Sequence, residues 1–319
     1  MNTSDLLLKL FGWLSISMIA AFLIDNIMIV GFNFPGAFSI FKEFSYLGFF
    51  ELLIYISAGF ITYFFVRKNN LNFRNNSIIL HNFNVYLIRS FFWIILIVGL
   101  VDIAIAFMRV EKIFHFFLGK EIASNFSRPV FVGLYFHLPL IVIGFIVARF
   151  TKTIGFHWLS LLIVGYELVI VITRFVFSYE QTFMGDLVRY WYAGLFLFAS
   201  AYTLYEDGHV RVDILYQGLK EKTKSLVNCI GSILLGWSTC IVIILICFYG
   251  KQSIVNSPIA NFEVTQQGSV GMFIKYHMAV FLAIFGITML IQFISYFFES
   301  LADFKNEKGK RIIETSSSY

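Results

Sequence analysis

Read from the amino terminus, the chain alternates long apolar runs with short polar connectors. The runs are long enough, at roughly 20 residues, for helices that cross the hydrocarbon core of a bilayer. They lie at about 10–31, 46–66, 86–107, 130–150, 156–177, 187–205, 226–249 and 272–297. Such runs predict helices because, in hydrocarbon, each backbone N–H and C=O must be paired inside its own segment. The expected fold class is all-α: a polytopic membrane protein with about eight transmembrane helices. The run that begins near Leu14 is too long, and too weakly basic in front, for a cleaved signal peptide, and no small-residue cleavage site stands out after it. The first span is expected to be retained.

Polar residues then orient the spans. Lys9, the group Arg67, Lys68, Arg74 and Arg89, the pair Arg149 and Lys152, the group Arg211, Lys220, Lys222 and Lys224, and the final Lys305, Lys308, Lys310 and Arg311 all fall on one side if the chain starts inside. Most of the 24 Lys and Arg are thereby cytoplasmic, which predicts that the N and C termini both lie inside. The loop from Arg109 to Arg128 runs against the pattern. Composition agrees with the membrane reading: 59% hydrophobic and 13% charged residues exceed what one water-soluble core can hide. The net charge of +5 follows from the positive-inside pattern and calls for no nucleic acid partner.

Cys229, Cys240 and Cys247 show neither a disulfide framework nor the spacing of a metal site, and read as small apolar packers. A phosphate-binding Gly-rich loop with its Lys, a nucleophile elbow and a metal cage are all missing from the sequence, so an enzyme is not expected and the metal and catalytic assignments are none.

The basic connection from Arg149 to Gly155 divides the chain into an N-terminal four-helix membrane extension, 1–150, a second four-helix domain, 151–300, and a polar cytoplasmic tail, 301–319. Faint echoes link the halves. Glu51-Leu52-Leu53-Ile54-Tyr55 lies over Asp186-Leu187-Val188-Arg189-Tyr190, and Phe136-His137-Leu138 matches Tyr276-His277-Met278 near the starts of the fourth and eighth spans. A repeated four-span unit would keep its orientation, since an even number of crossings returns the chain to its starting side.

One polar segment is distinctive. After the sixth span comes Gly208-His209-Val210-Arg211-Val212-Asp213, flanked by Ala199-Ser200-Ala201-Tyr202-Thr203-Leu204 and Ile214-Leu215-Tyr216. Gly208 suits a helix end. His209, Arg211 and Asp213 then alternate with Val210, Val212 and Ile214, and Asp213 is placed to cap a short helix from Ile214 onward, whose Lys220, Lys222 and Lys224 stay wet. The expectation is an interfacial arm along the cytoplasmic surface. The run and its flanks resemble the small membrane subunit, the DctQ family, of tripartite ATP-independent periplasmic (TRAP) transporters. Arg174-Phe175-Val176-Phe177 resembles the Arg-aromatic pair that closes the first span of that family, and Asp186-Leu187-Val188-Arg189-Tyr190 resembles the acidic start of its next span. The resemblance covers about residues 156–300, and the first 150 residues depart from it.

The resemblance implies a non-catalytic scaffold partner of a large M-type membrane subunit, which carries the substrate and sodium sites and moves elevator-fashion. A periplasmic substrate-binding protein delivers the solute, commonly an organic acid. No cofactor is expected in this chain, and the location implied is the bacterial inner membrane. On this reading Gly208, His209, Arg211 and Asp213 form the arm, and Arg174, Asp186, Arg189, Tyr190 and Glu167 contact the partner or scaffold.

Charges within spans are costly and need reasons. Glu167, Asp25 and Asp102 lie inside apolar runs, and Glu167 and Arg174, seven apart, share a helix face, which suggests a polar seam. Their expected role is structural, through hydrogen bonds to other helices or to a partner subunit. Two other readings compete: a haem or quinone redox anchor using His137 and His277, and a self-sufficient secondary transporter coupled through Glu167, Asp25 and Asp102.

Overall fold

The computed structural model describes residues 2–41, 45–152, 155–206, 214–265 and 267–311. Among these residues there is no strand. The main helices are α1 (Thr3–Phe32), α2 (Tyr46–Asn69), α3 (Phe73–Val110), α4 (Ile113–Asn125), α5 (Pro129–Phe150), α6 (Phe156–Phe177), α7 (Thr182–Tyr205), α8 (Glu221–Phe248) and α9 (Lys275–Phe304).

Seven of them, all but α4 and α7, are long and apolar enough to cross a membrane. The expected eighth span differs in composition rather than in length. With 24 residues α7 is long enough, but Asp186, Arg189 and its hydroxyl-bearing side chains lower its hydropathy. The basic stretch between Arg109 and Arg128, read from sequence as a loop, carries α4, whose 13 residues are broken at Gly119, where φ is 77° and ψ 166°, so that neither piece is long enough to cross a membrane. Helix α3 begins well before its apolar run, and its 38 residues measure about 57 Å against a hydrocarbon core of about 30 Å.

Local chemistry sets several helix ends. Ser45 accepts the Gly48 N–H at the start of α2. Asn33 and Asn70 end α1 and α2 in the left-handed region that asparagine tolerates. In α5, Pro139 has no N–H to offer the carbonyl four residues back. The helix absorbs this in a π turn, Gly133–His137, in which the Leu138 N–H reaches Gly133 O.

The described chain divides into two compact units, each drawing on sequence from both sides of residue 150. The first comprises Met1–Asn84, Thr203–Ser253 and Met289–Tyr319. In it the Trp13 indole donates to Asn76 Oδ1 at 2.8 Å and the Trp237 indole donates to Ser15 Oγ at 3.0 Å. Glu307 accepts the backbone N–H groups of Phe73 and Arg74, at 3.2 and 2.9 Å, and so caps α3 from the chain beyond α9. Arg74 is ion-paired with Asp303, and Lys305 with Asp5. Cys240 and Cys247 are buried, as expected of packers.

The second unit comprises Val85–Tyr202 and Ile254–Thr288. Its core joins Val98 of α3, Leu187, Tyr190, Trp191 and Phe198 of α7, and Phe281 of α9. Two glycines set the spacing. A Cβ at Gly99 would lie 2.5 Å from the Trp191 indole nitrogen, which donates to Ile95 O at 3.1 Å. A Cβ at Gly144 would lie 2.5 Å from the Ile94 side chain and 3.2 Å from its Cα, so α5 and α3 approach backbone to backbone. Arg89 reinforces the pairing by donating to Thr151 O at 2.5 Å, just past the end of α5.

This close approach is testable. Gly144→Val is expected to destabilise the fold by about 1–3 kcal/mol through overpacking, read as a lower thermal midpoint in detergent. Gly165→Val, at a position with open space around it, is the control and should leave the midpoint little changed.

Candidate functional site

The second unit buries a connected set of polar side chains where α3, α5, α7 and the start of α9 meet. Helix α3 supplies Asp102, which is fully buried. Its Oδ2 accepts the Phe273 N–H at 2.8 Å, and its Oδ1 lies 3.3 Å from His137 Nε2, in contact but not aligned for a hydrogen bond. Helix α7 supplies Asp186, whose Oδ2 accepts the neighbouring Met272 N–H at 3.0 Å. Arg109, at the end of α3, donates to Ser269 O at 2.7 Å, Gly271 O at 2.6 Å and Phe126 O at 3.2 Å. Its guanidinium also lies over the Phe273 ring, 3.9 Å from the centroid. Segment 269–273 is thus held at its carbonyls by a cation and at its N–H groups by two carboxylates.

Two histidine–tyrosine pairs continue the set. The π turn of α5 presents His137, whose Nδ1 is 2.5 Å from the Tyr276 hydroxyl, and His277 Nδ1 is 3.4 Å from the hydroxyl of fully buried Tyr190. A tyrosine hydroxyl has one proton to donate, and in each pair the imidazole Nδ1 is its hydrogen-bond partner among the described residues. With the hydroxyl as donor in each pair, the ring proton is assigned to Nε2 in both histidines. In His137 it faces the Asp102 carboxylate. In His277 it faces no hydrogen-bond partner among the described residues.

The two imidazoles meet edge to face, centroids 5.0 Å apart, which is not the opposed arrangement of two axial ligands across one iron. Among the described residues no group of three His, Cys, Asp or Glu side chains is placed to hold a metal ion. What the arrangement can do is fix the start of α9 and orient polar edges within an apolar surround.

The residues singled out from sequence are distributed unevenly. Asp186 and Tyr190 belong to the buried set, while Arg189, 3.6 Å from Asp186, is largely exposed at its edge. Arg174 and Glu167 form no seam. Arg174 turns past the end of α6 to Glu180, at 3.2 Å, because its long side chain reaches a carboxylate beyond the helix more easily than one two turns back. Glu167 is exposed on α6 and makes no hydrogen bond or ion pair with the described residues. Gly208, His209, Arg211 and Asp213 lie outside the described residues, and the chain resumes in a short helix, Ile214–Gln217.

In the first unit Asp25 accepts from the Tyr55 hydroxyl at 3.0 Å and lies beside Glu51, which is fully buried. Sequence reading missed the parts played by Arg109, Tyr276 and Glu51. The usable signal was polarity within apolar runs. It marks a residue but not its partner.

Residues 162–303 match the family model of tripartite ATP-independent periplasmic transporters, DctQ component. No curated protein and no solved structure matches the chain. The DctQ segment runs from within α6 to the end of α9 and contains Asp186, Tyr190, Met272, Phe273, Tyr276 and His277. Asp102, Arg109 and His137 precede it, in the N-terminal region that the match does not cover. The buried set is therefore completed across the boundary of the DctQ domain, whose family comprises transporter components.

Asp102→Ala strands the Phe273 N–H and is expected to cost about 1–3 kcal/mol of stability. Asp102→Asn keeps an acceptor oxygen and should cost less than half as much. Thermal unfolding in detergent measures both, and equal losses would show that accepting the N–H is not what Asp102 contributes.

Proposed function

We propose that the chain is a small integral membrane subunit of a TRAP transporter and that α6 is the face it presents to a larger, M-type membrane subunit. The DctQ match supports the class, and α6 supplies the observation that carries the docking. Only 11% of its most apolar window is buried within the chain, the least of the seven candidate spans. Leu161, Val164, Leu168, Val171 and Phe175 are exposed along it, and Glu167 stands among them.

A carboxylate facing lipid at mid-span costs about 2.5–3.5 kcal/mol. A donor on an opposing helix removes that cost, whereas lipid chains cannot. Packing against a second membrane protein is the arrangement in which both the apolar residues and Glu167 are satisfied.

In this reading the subunit is static scaffold. The larger subunit carries the substrate and sodium sites, a periplasmic binding protein supplies an organic acid or similar solute, and the location is the bacterial inner membrane with both termini cytoplasmic. This chain performs no covalent chemistry and needs no cofactor of its own.

The test is site-directed cross-linking. A photoreactive residue at position 167 should form an adduct with the large multi-span subunit. One at Phe60, exposed on α2, should capture it much less. Glu167→Leu should reduce co-purification of that subunit in mild detergent about tenfold, corresponding to one hydrogen bond of a charged group, with Glu167→Gln intermediate. Solute uptake into liposomes by this chain alone would overturn the proposal.

A further inference from the structure

Beside the two histidines of the second unit lies a cavity of about 320 Å³, part open rather than sealed. At one end it is lined by Tyr276, His137 and His277, and at the other by Phe145, Phe198 and Ile284. Between these ends the wall is almost wholly apolar. From His277 to Ile284 is seven residues of α9, about 10 Å of helix rise, and His137 to Phe145 covers a similar distance on α5. The cavity is thus a slot running along the helices, covering about two thirds of the ~15 Å depth of one leaflet's hydrocarbon.

Its polar end lies where the membrane border is expected. Lys275, two residues before His277, opens α9, pairs with Glu263 at 3.1 Å and remains nearly half exposed. From there α9 runs inward, so the apolar end of the slot is the deeper one. At the shallow end His277 Nε2 is buried and, like His137 Nε2 and Asp102 Oδ1, has no hydrogen-bond partner among the described residues; with Tyr190 donating to Nδ1, it is the nitrogen that carries the proton.

We propose that this slot binds one acyl chain of a membrane phospholipid, with the ester carbonyl of that chain accepting the His277 Nε2–H. An ester carbonyl sits at the border between headgroup and hydrocarbon, which is the depth of His277. The chain below it is flexible and apolar, which matches the rest of the wall. The aromatic side chains at the deep end close the slot and set the length of chain that fits. The wall comes from α3, α5, α7 and α9, with Ile259 and Phe262 of the segment before α9, so the site requires helices from the N-terminal region as well as from the DctQ segment. It does not depend on α6 or on any partner subunit, and so stands apart from the transporter reading.

The experiment uses the full chain, delipidated in detergent and titrated by native mass spectrometry with a diester phospholipid and with the diether analogue of the same headgroup and chain length. One diester lipid per chain is expected to be retained, about fivefold more strongly than the diether, corresponding to one neutral hydrogen bond. His277→Phe should erase that preference, and Ile141→Trp, which fills the slot from its wall, should abolish retention at an unchanged thermal midpoint. Equal retention of ester and ether by the unaltered chain would overturn the proposal, and this comparison decides even if both variants fail to fold. Wild-type retention by a folded Ile141→Trp chain, or recovery of a ring-headed lipophile such as a quinone in place of a phospholipid, would overturn it as well.

Discussion

A backbone N–H buried in a membrane protein has no water to turn to, and the first turn of any helix carries several that its own carbonyls cannot reach. Helix α9 is the most buried of the candidate spans, and the chain leads into it through Met272 and Phe273, both fully buried. Asp186 and Asp102 accept those two N–H groups in succession from different helices. The negative carboxylates also suit the positive end of the helix that follows. With the start of α9 so placed, Tyr276 and His277 fall beside His137 and Tyr190, and the slot between α5 and α9 takes its shape.

The same constraint gives the N-terminal region a physical role in the fold. Asp102, Arg109 and His137 lie outside the DctQ segment, yet they bond or contact residues within it. In the first unit Glu307, near the C-terminal end of the described chain, caps the start of α3. A similar device recurs in each unit: an acid with a tyrosine one turn later, Glu51 with Tyr55 and Asp186 with Tyr190, next to an aspartate of another helix. Burying such acids is expensive, and hydroxyl and backbone donors offset the cost at Asp25, Asp102 and Asp186.

Glu167 stands in contrast to those acids. Like Asp102 it is an acid within an apolar run, but it lies on the outward side of a helix that buries almost none of itself. The difference between the two residues is one of helix rotation and neighbours rather than of sequence context. Asp102 accepts a backbone N–H from within the chain, whereas Glu167 has no hydrogen bond or ion pair with the described residues.

The chain's apolar runs by themselves determined that it is helical and membrane-embedded, because hydrocarbon leaves the backbone few alternatives. They also marked Asp102, His137, Asp186, Tyr190 and His277 as residues needing a reason. The family signal was likewise legible, in the run Gly208 to Asp213 with its flanks and in short local runs around Arg174 and Asp186. What only tertiary structure decided was pairing. Phe273 lies 171 residues from Asp102, and Tyr276 lies 139 from His137, separations at which helical periodicity carries no information. The length of α3 and the character of α7 escaped for a related reason. Polar side chains such as Asn76 and Asp186 read as loop or as span end until their partners, the Trp13 indole and the Met272 N–H, are seen across the bundle. Hydropathy measures each residue's affinity for lipid, whereas the partners that let a polar residue remain in a buried helix are set by how the helices pack.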